Sequence, residues 1–197
     1  MRIWTIQELT VWEALEEREV LHVDPALAEH QDYSDAYDWL SGEMRRRVGE
    51  PPRGVRWPWW GWGWYHTRVK ARPDLRAIGW DLERGSQNVR IELELPEGEV
   101  LLSEFNYWHF VLMGSYLPSG GADDDAFIED MDAFDEELER AGVEVDRAIE
   151  VEPFRTRIIA SWERIFVVYD NWPTQATFWE LRMDQVQDVT HFVGRRR

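Results

Sequence analysis

The chain contains no cysteine and only one lysine, Lys70, among its 197 residues. Without thiols it can form neither a disulfide nor a thiolate zinc site, and it has no cysteine nucleophile. No apolar run approaches the roughly 18 residues that a membrane-spanning helix needs. The first residues, Met1 to Thr5, have no apolar signal core and begin a strand-like segment. These absences predict a cytoplasmic protein with no membrane partner.

Several signatures of nucleotide and metal binding are also missing. The sequence has no P-loop, no G-x-G-x-x-G and no G-x-S-x-G pattern. Its five histidines form no H-x-H or H-x-x-x-H pair, and its acidic residues do not follow the spacing of a calcium loop. We therefore expect no metal site and no cofactor that a local motif would reveal.

Charge is distributed unevenly along the chain. The net charge is −17, which opposes polyanions, so free nucleic acid is not an expected partner. Residues 45–76 nevertheless carry nine basic side chains and two carboxylates, whereas residues 123–139 carry ten carboxylates and no basic side chain. The sequence predicts one positive region on an otherwise negative protein.

The periodicity of the apolar residues predicts an α+β fold. Helical spacing covers about 8–19, 35–48, 106–113, 124–141 and 154–168, which suggests about five packed helices. Strand-like alternation is clearest at 89–95, where Ile91, Leu93 and Leu95 are expected to face inward and Arg90, Glu92 and Glu94 outward. A turn at 96–99 and a returning strand predict a hairpin near 89–105.

The length of the chain favours one domain, because 197 residues suit one hydrophobic core. Strands and helices do not alternate strictly along the sequence, which favours a mixed or mostly antiparallel sheet over a doubly wound one. We expect a single domain over residues 1–194, followed by a frayed basic tail at 195–197.

The segment from Trp57 to His66 reads W-P-W-W-G-W-G-W-Y-H. With a period of two, Trp60, Trp62 and Trp64 fall on one face of a strand. Aromatic faces stack on bases and arginines pair with phosphates, so the segment could bind a nucleotide-like or aromatic anionic ligand. The alternative is a structural role, in which the rings fill a core and the glycines permit close packing. The candidate binding residues are Trp57, Trp60, Trp62, Trp64, Tyr65, His66, Arg53, Arg56 and Arg68.

Short motifs along the whole chain resemble an uncharacterised bacterial family that is catalogued only as a domain of unknown function. They are RIWTIQ at 2–7, YDWL at 37–40, LELP at 93–96, VLLSEF at 100–105, WH at 108–109, SWERIF at 161–166 and QATFWEL at 175–181. The resemblance covers most of the chain and implies no particular activity.

A looser similarity concerns Glu92-Leu93-Glu94, which resembles the E-x-E signature of ADP-ribosyltransferases. This resemblance implies an enzyme acting on NAD, with Glu94 or Glu180 as the key carboxylate and His109 as a possible general base. The sequence departs from that family because it lacks a clear histidine or arginine in the first strand and has no Ser-Thr-Ser strand. The structural alternative for the glutamates is a solvated strand face.

A third hypothesis assigns the protein to the interaction modules. The acidic residues within 123–139 would then form a surface for a protein partner. The alternative is a solvated helix face whose carboxylates near the helix start suit the helix dipole.

Overall fold

The computed structural model describes residues 1–24, 33–79 and 82–195 of the chain. Its strands are β1 (Arg2–Glu8), β2 (Val20–Leu21), β3 (Trp59–Trp64), β4 (Gln87–Glu94), β5 (Leu101–Glu104), β6 (Thr174–Phe178), β7 (Leu181–Arg182) and β8 (Val186–Val193). Its α-helices are α1 (Leu9–Arg18), α2 (Ser34–Arg47), α3 (Leu75–Ile78), α4 (Phe105–Leu112), α5 (Asp124–Ala141) and α6 (Phe154–Ser161). Short 3-10 helices cover Glu97–Glu99, Val145–Glu150, Trp162–Phe166 and Met183–Gln185. The predicted α+β class is confirmed.

Six strands form one sheet in the order β5-β6-β3-β1-β4-β8, and β2 pairs with β7 separately. The pairs β1–β3, β1–β4, β3–β6 and β4–β8 are antiparallel, as the mostly antiparallel prediction requires. Strand β1 therefore lies near the centre of the sheet, with β4 on one side and the tryptophan strand β3 on the other.

The predicted hairpin near 89–105 is wrong. Strands β4 and β5 are not neighbours, because β4 pairs with β1 on one edge and with β8 on the other. With both edges of β4 occupied, the chain continues through the 3-10 turn Glu97–Glu99 and enters β5 beside β6. A local alternation pattern identifies strands, but it does not choose their partners.

One face of β1, β4 and β6 forms the main apolar core. Ile3, Ile91, Leu93 and Phe178 are at most 1% exposed, and Leu15 of α1 packs into the same cluster. The inward assignment of Ile91 and Leu93 is therefore correct, and alternation brings them to one side of the sheet. Burying side chains of this size contributes about 1.5–3 kcal/mol each.

Of the three β4 residues that were predicted to face outward into solvent, only the one at the C-terminal end of the strand is exposed. Glu94 is exposed, Glu92 is half-buried, and Arg90 is only 7% exposed. The opposite face of β4 is therefore covered near Arg90, where the segment before α3 supplies the carbonyl oxygen of Pro73 as a hydrogen-bond acceptor at 3.0 Å.

The chain divides into two compact units, Met1–Leu102 with Tyr169–Arg197, and Ser103–Val168. In the second unit the predicted helix at 154–168 ends at Ser161 and continues as the 3-10 helix Trp162–Phe166. The ring of Phe134 stacks on Tyr116 at 4.1 Å and meets Phe154 edge-on at 5.9 Å. None of the helices within the described residues has the length and apolar character to cross a membrane.

Of the predicted frayed tail, Arg195 is described, and its backbone N–H donates to the carbonyl oxygen of Gly79. Arg196 and Arg197 lie outside the described residues. The predicted single domain over 1–194 stays a prediction.

Candidate functional site

The tryptophan segment forms β3, which runs beside β1 in the middle of the sheet. Trp4 of β1 faces Trp62 of β3, and the hydroxyl of Thr5 donates to the carbonyl oxygen of Trp60 at 2.8 Å. Gly61 permits this approach, because a Cβ at that position would lie 2.9 Å from the backbone oxygen of Trp4. The glycine in W-G-W is thus needed for strand packing.

The regular alternation predicted for Trp60, Trp62 and Trp64 is interrupted. The register between β3 and β6 shifts between Trp62, which faces Gln175, and Trp64, which faces Thr174. At this point β3 has two residues where β6 has one, which is a β-bulge. A bulge changes the direction in which the following side chains point. Trp64 therefore has surroundings that a period of two does not predict.

Trp57 and Arg56 belong to a structural cluster around Asp38 of α2. The side chain of Trp57 is only 1% exposed, and its Nε1 donates to Asp38 Oδ1 at 3.0 Å. Arg56 donates to both carboxylate oxygens of Asp38, at 3.0 and 2.7 Å, and covers the Trp57 ring at 4.6 Å. These contacts give Trp57 and Arg56 a structural role beside Asp38, and their predicted role in ligand binding stays a prediction.

Replacing Asp38 tests this cluster. We expect Asp38→Ala to lower the free energy of unfolding by about 1–2 kcal/mol, since Trp57 and Arg56 both lose their acceptor. Asp38→Asn should lose less, because an amide oxygen can still accept from Trp57 Nε1. Chemical unfolding followed by circular dichroism measures both changes.

The stability difference between the wild type and these variants should also depend on pH. The hydrogen bond from Arg56, partly opposed by burial, holds the pKa of Asp38 below its ordinary value of 3.8. The stabilisation is therefore present above pH 3.8 and is lost as the pH falls through the lower folded-state pKa. The stability gap between wild type and Asp38→Asn should shrink in that acid window. A gap that stays constant there would contradict the assignment.

A cavity of about 570 Å³ opens where the β1–β3 ladder stops. Within the described residues Trp4 of β1 faces Trp62 of β3, and the cavity lies towards Met1, just before β1, and Trp64 of β3. Arg2 and Arg68 also line the cavity, together with Glu97 and Leu102. We call this cavity the β1–β3 cleft.

The two indoles of the cleft are held rigidly. Trp4 is 7% exposed, and its Nε1 donates to Glu92 Oε2 at 3.0 Å. Trp64 is 4% exposed, and its Nε1 donates to the carbonyl oxygen of Tyr169 at 3.3 Å. A ligand entering the cleft would therefore meet rings that are already positioned.

The two arginines of the cleft are more exposed than the indoles. Arg2 forms an ion pair with Glu92 at 3.1 Å, and its side chain is 59% exposed. Arg68 lies over the Trp64 ring at 5.0 Å and pairs with Asp170 at 3.3 Å, with both side chains of the pair more than 60% exposed. An ion pair as exposed as Arg68–Asp170 is worth about 0–1 kcal/mol, so Arg68 can exchange its carboxylate partner for a ligand.

The other candidate binding residues lie outside the lining of the cleft. Trp60 meets Tyr37 edge-on at 6.0 Å, and Trp62 meets Tyr65 at 4.8 Å. His66 packs against Tyr65 at 4.6 Å and borders a different cavity. Arg53 lies exposed in the loop before β3. Of the nine candidates, the structure brings Trp64 and Arg68 together in the cleft and adds Trp4 and Arg2, which the sequence pattern did not suggest.

Each of the two candidate catalytic glutamates already has a close nitrogen partner. Glu94 is half-exposed and lies 3.3 Å from the amino group of Met1. Glu180 lies 2.8 Å from His22 Nε2 and borders a separate cavity of about 350 Å³ next to Trp179. Neither carboxylate lines the β1–β3 cleft. The enzyme hypothesis stays a prediction, and no contact of Glu94 or Glu180 favours it.

His109 belongs to the second unit and lies on α4. Its Nδ1 is 3.1 Å from the carbonyl oxygen of Phe105, one turn earlier, and its ring meets the Phe105 ring at 4.9 Å.

Among the described residues no group of three or more histidines and carboxylates is arranged to hold a metal ion. The acidic helix α5 starts at an N-cap, Asp123, whose carboxylate accepts from the backbone N–H of Ala126.

The fold and the cleft define an α+β protein with a cavity beside its central strands, lined in part by two buried tryptophans and two exposed arginines. The chain belongs to a protein family described as a domain of unknown function, DUF3841, whose profile matches residues 2–187. This confirms the family resemblance of the sequence motifs. Comparisons with the curated proteins and with the solved structures find no match.

Proposed function

We propose that the protein binds a small aromatic anion, such as a nucleotide, in the β1–β3 cleft. The observation that carries the proposal is the cavity of about 570 Å³ at the point where β1 and β3 stop pairing. Its size falls within the roughly 300–1,000 Å³ range of small-molecule sites, which are largely preformed and mostly apolar with a few polar groups. The proposal keeps the cytoplasmic location that the sequence predicts.

The chemistry of the lining selects the class of ligand. Trp4 and Trp64 supply aromatic surface for a planar ring, and Arg2 and Arg68 supply positive charge beside it. Arg68 is central because its guanidinium covers the Trp64 ring and, among the described residues, is held by an exposed ion pair. A ligand that offers a phosphate to Arg68 would replace Asp170 and gain access to the indole.

Isothermal titration calorimetry with AMP, ATP and NAD tests the proposal. We expect saturable binding of at least one of them to the wild-type protein, and a loss of about tenfold in affinity for Arg68→Gln, which equals about 1.4 kcal/mol. Arg68 is exposed, so its replacement leaves the fold intact. Arg155→Gln is the matched control, because it removes the same charge from an exposed position on α6.

Two results would reject the proposal. One is the absence of saturable heat with all three ligands. The other is binding that Arg68→Gln and Arg155→Gln leave equally strong, because the anion would then be held elsewhere.

A further inference from the structure

A second cavity, of about 620 Å³, lies beside β4 and is strongly basic. Its wall consists of residues between 66 and 76 together with Arg90 of β4. The lining includes four cationic side chains and one carboxylate: Lys70, Arg72, Arg76, Arg90 and Asp74. We call it the Arg90 pocket. It shares Ala71 with the lining of the β1–β3 cleft, and its charged groups are different ones.

The buried guanidinium of Arg90 forms the inner wall of this pocket. Arg90 is 7% exposed, and it donates from Nη1 to the carbonyl oxygen of Pro73 and from Nη2 to the hydroxyl of Thr190, both at 3.0 Å. These neutral acceptors are its hydrogen-bond partners in the described part of the chain, and they occupy two of its five N–H donors. A buried cation without a carboxylate partner is costly, and an anion in the cavity would offset that cost.

The single carboxylate of the pocket is already neutralised. Arg76 donates to Asp74 from Nε at 3.1 Å and from Nη2 at 2.7 Å. Its hydrogen bonds lower the pKa of Asp74 to about 2, so this carboxylate stays charged and bound to Arg76. Lys70, Arg72 and Arg90 have no ion-pair partner among the described residues. The pocket therefore presents three unneutralised cations.

The charged groups behind the pocket do not remove this excess. Burial lowers the pKa of Arg90 most and nearby Arg72 lowers it further, whereas Asp188, Glu92 and Asp74 act in the opposite direction. Glu92 is itself engaged by Arg2 at 3.1 Å, and Asp188 accepts from Thr190 at 3.3 Å. The largest effect on Arg90 is therefore the cost of burying its charge, which a bound anion would offset.

We propose that the Arg90 pocket binds the phosphate group of a small molecule. Arginine is suited to this role because its planar fork matches phosphate oxygens, while lysine adds a mobile point charge. The ligand is small, because the net charge of −17 on the whole chain repels an extended polyanion such as nucleic acid. A cavity of about 620 Å³ is large enough for a phosphate or pyrophosphate with an attached group.

Titration calorimetry with inorganic pyrophosphate and inorganic phosphate at low ionic strength tests the assignment. We expect one saturable site in the wild-type protein, and a loss of at least about tenfold in affinity for the double variant Lys70→Gln/Arg72→Gln. Both side chains are exposed and can be replaced without disturbing the fold. Arg90→Lys keeps the charge but loses the forked geometry, so it should also weaken binding. Thermal unfolding followed by circular dichroism checks each variant.

Two controls separate this site from the β1–β3 cleft and from general charge effects. Arg155→Gln removes one positive charge from α6 and should leave pyrophosphate binding unchanged. Arg68→Gln alters the β1–β3 cleft and should also leave pyrophosphate binding unchanged. The same variant should weaken the binding of the aromatic ligand in the cleft. Absence of saturable binding to the wild-type protein overturns the inference. Full binding by the double variant, or loss of pyrophosphate binding in Arg68→Gln, overturns it as well.

Discussion

Gly61→Ala should destabilise the first unit by about 2–3 kcal/mol, because the added methyl group overpacks the contact between β1 and β3. The new Cβ would lie 2.9 Å from the backbone oxygen of Trp4 and 3.5 Å from Ile3 Cδ1. A backbone oxygen in a central strand cannot move aside without disturbing the ladders on both sides of β1. The usual effect of such a change has the opposite sign, since alanine restricts the unfolded chain and stabilises by about 0.4–1 kcal/mol.

Gly63→Ala is the matched control in the same strand. Its Cβ would lie 3.1 Å from Leu102 Cδ2, the end of a side chain that can rotate, and 3.6 Å from the carbonyl oxygen of Thr174. We expect a loss of at most about 1 kcal/mol. Urea unfolding followed by far-ultraviolet circular dichroism gives both values. If both variants lost the same free energy of unfolding, the close approach of β1 would not explain why residue 61 is a glycine.

The secondary structure was largely predictable from the sequence, whereas the pairing of strands was not. Apolar periodicity locates β4 and α5 within a few residues, because it reflects which face of each element is buried. The false hairpin shows the limit of the method. A proline-glycine turn after β4 looks like a hairpin connection, but the neighbours of β4 come from residues 2–8 and 186–193.

The candidate site was predictable in its composition and not in its geometry. A tryptophan-rich segment with nearby arginines points to β3, Trp64 and Arg68, whose role in ligand binding stays a prediction. The sequence gives no signal that Asp38, 19 residues before Trp57, engages that indole, or that β3 bulges after Trp62. Arg90 shows the same limit, because alternation assigns it to a face but does not reveal that another segment covers that face.

Glu104 should be the most important carboxylate of the second unit for stability. Its side chain is fully buried and caps α4: Oε2 accepts from the backbone N–H of Tyr107 at 2.6 Å, and Oε1 accepts from the side-chain amide of Asn106 at 2.8 Å. Glu104→Ala leaves both donors without these acceptors, and we expect a loss of about 2 kcal/mol in the free energy of unfolding. Urea unfolding at neutral pH measures it, and Glu129→Ala on the exposed face of α5 is the control.

The buried carboxylate also makes the stability depend on pH. Burial raises the pKa of Glu104 above its ordinary value of 4.5, although hydrogen bonds from Asn106 and Tyr107 and the charge of His109 act against this shift. The folded protein therefore holds the proton more tightly than the unfolded chain. The proton-linked part of the contribution of Glu104 is fully present below pH 4.5 and is lost as the pH rises through the folded-state pKa, whereas the hydrogen bonds that cap α4 remain at neutral pH.

Glu104→Gln isolates this contribution, because glutamine has nearly the same shape and does not ionise. Subtracting the stability of the variant from that of the wild type, from about pH 4 to about pH 8, removes the titration of the other carboxylates. We expect the difference to fall with increasing pH and then to level off once Glu104 is ionised in both states. A difference that rises with pH would mean that the hydrogen bonds at the start of α4 outweigh burial, so that Glu104 stabilises the fold as a charged cap.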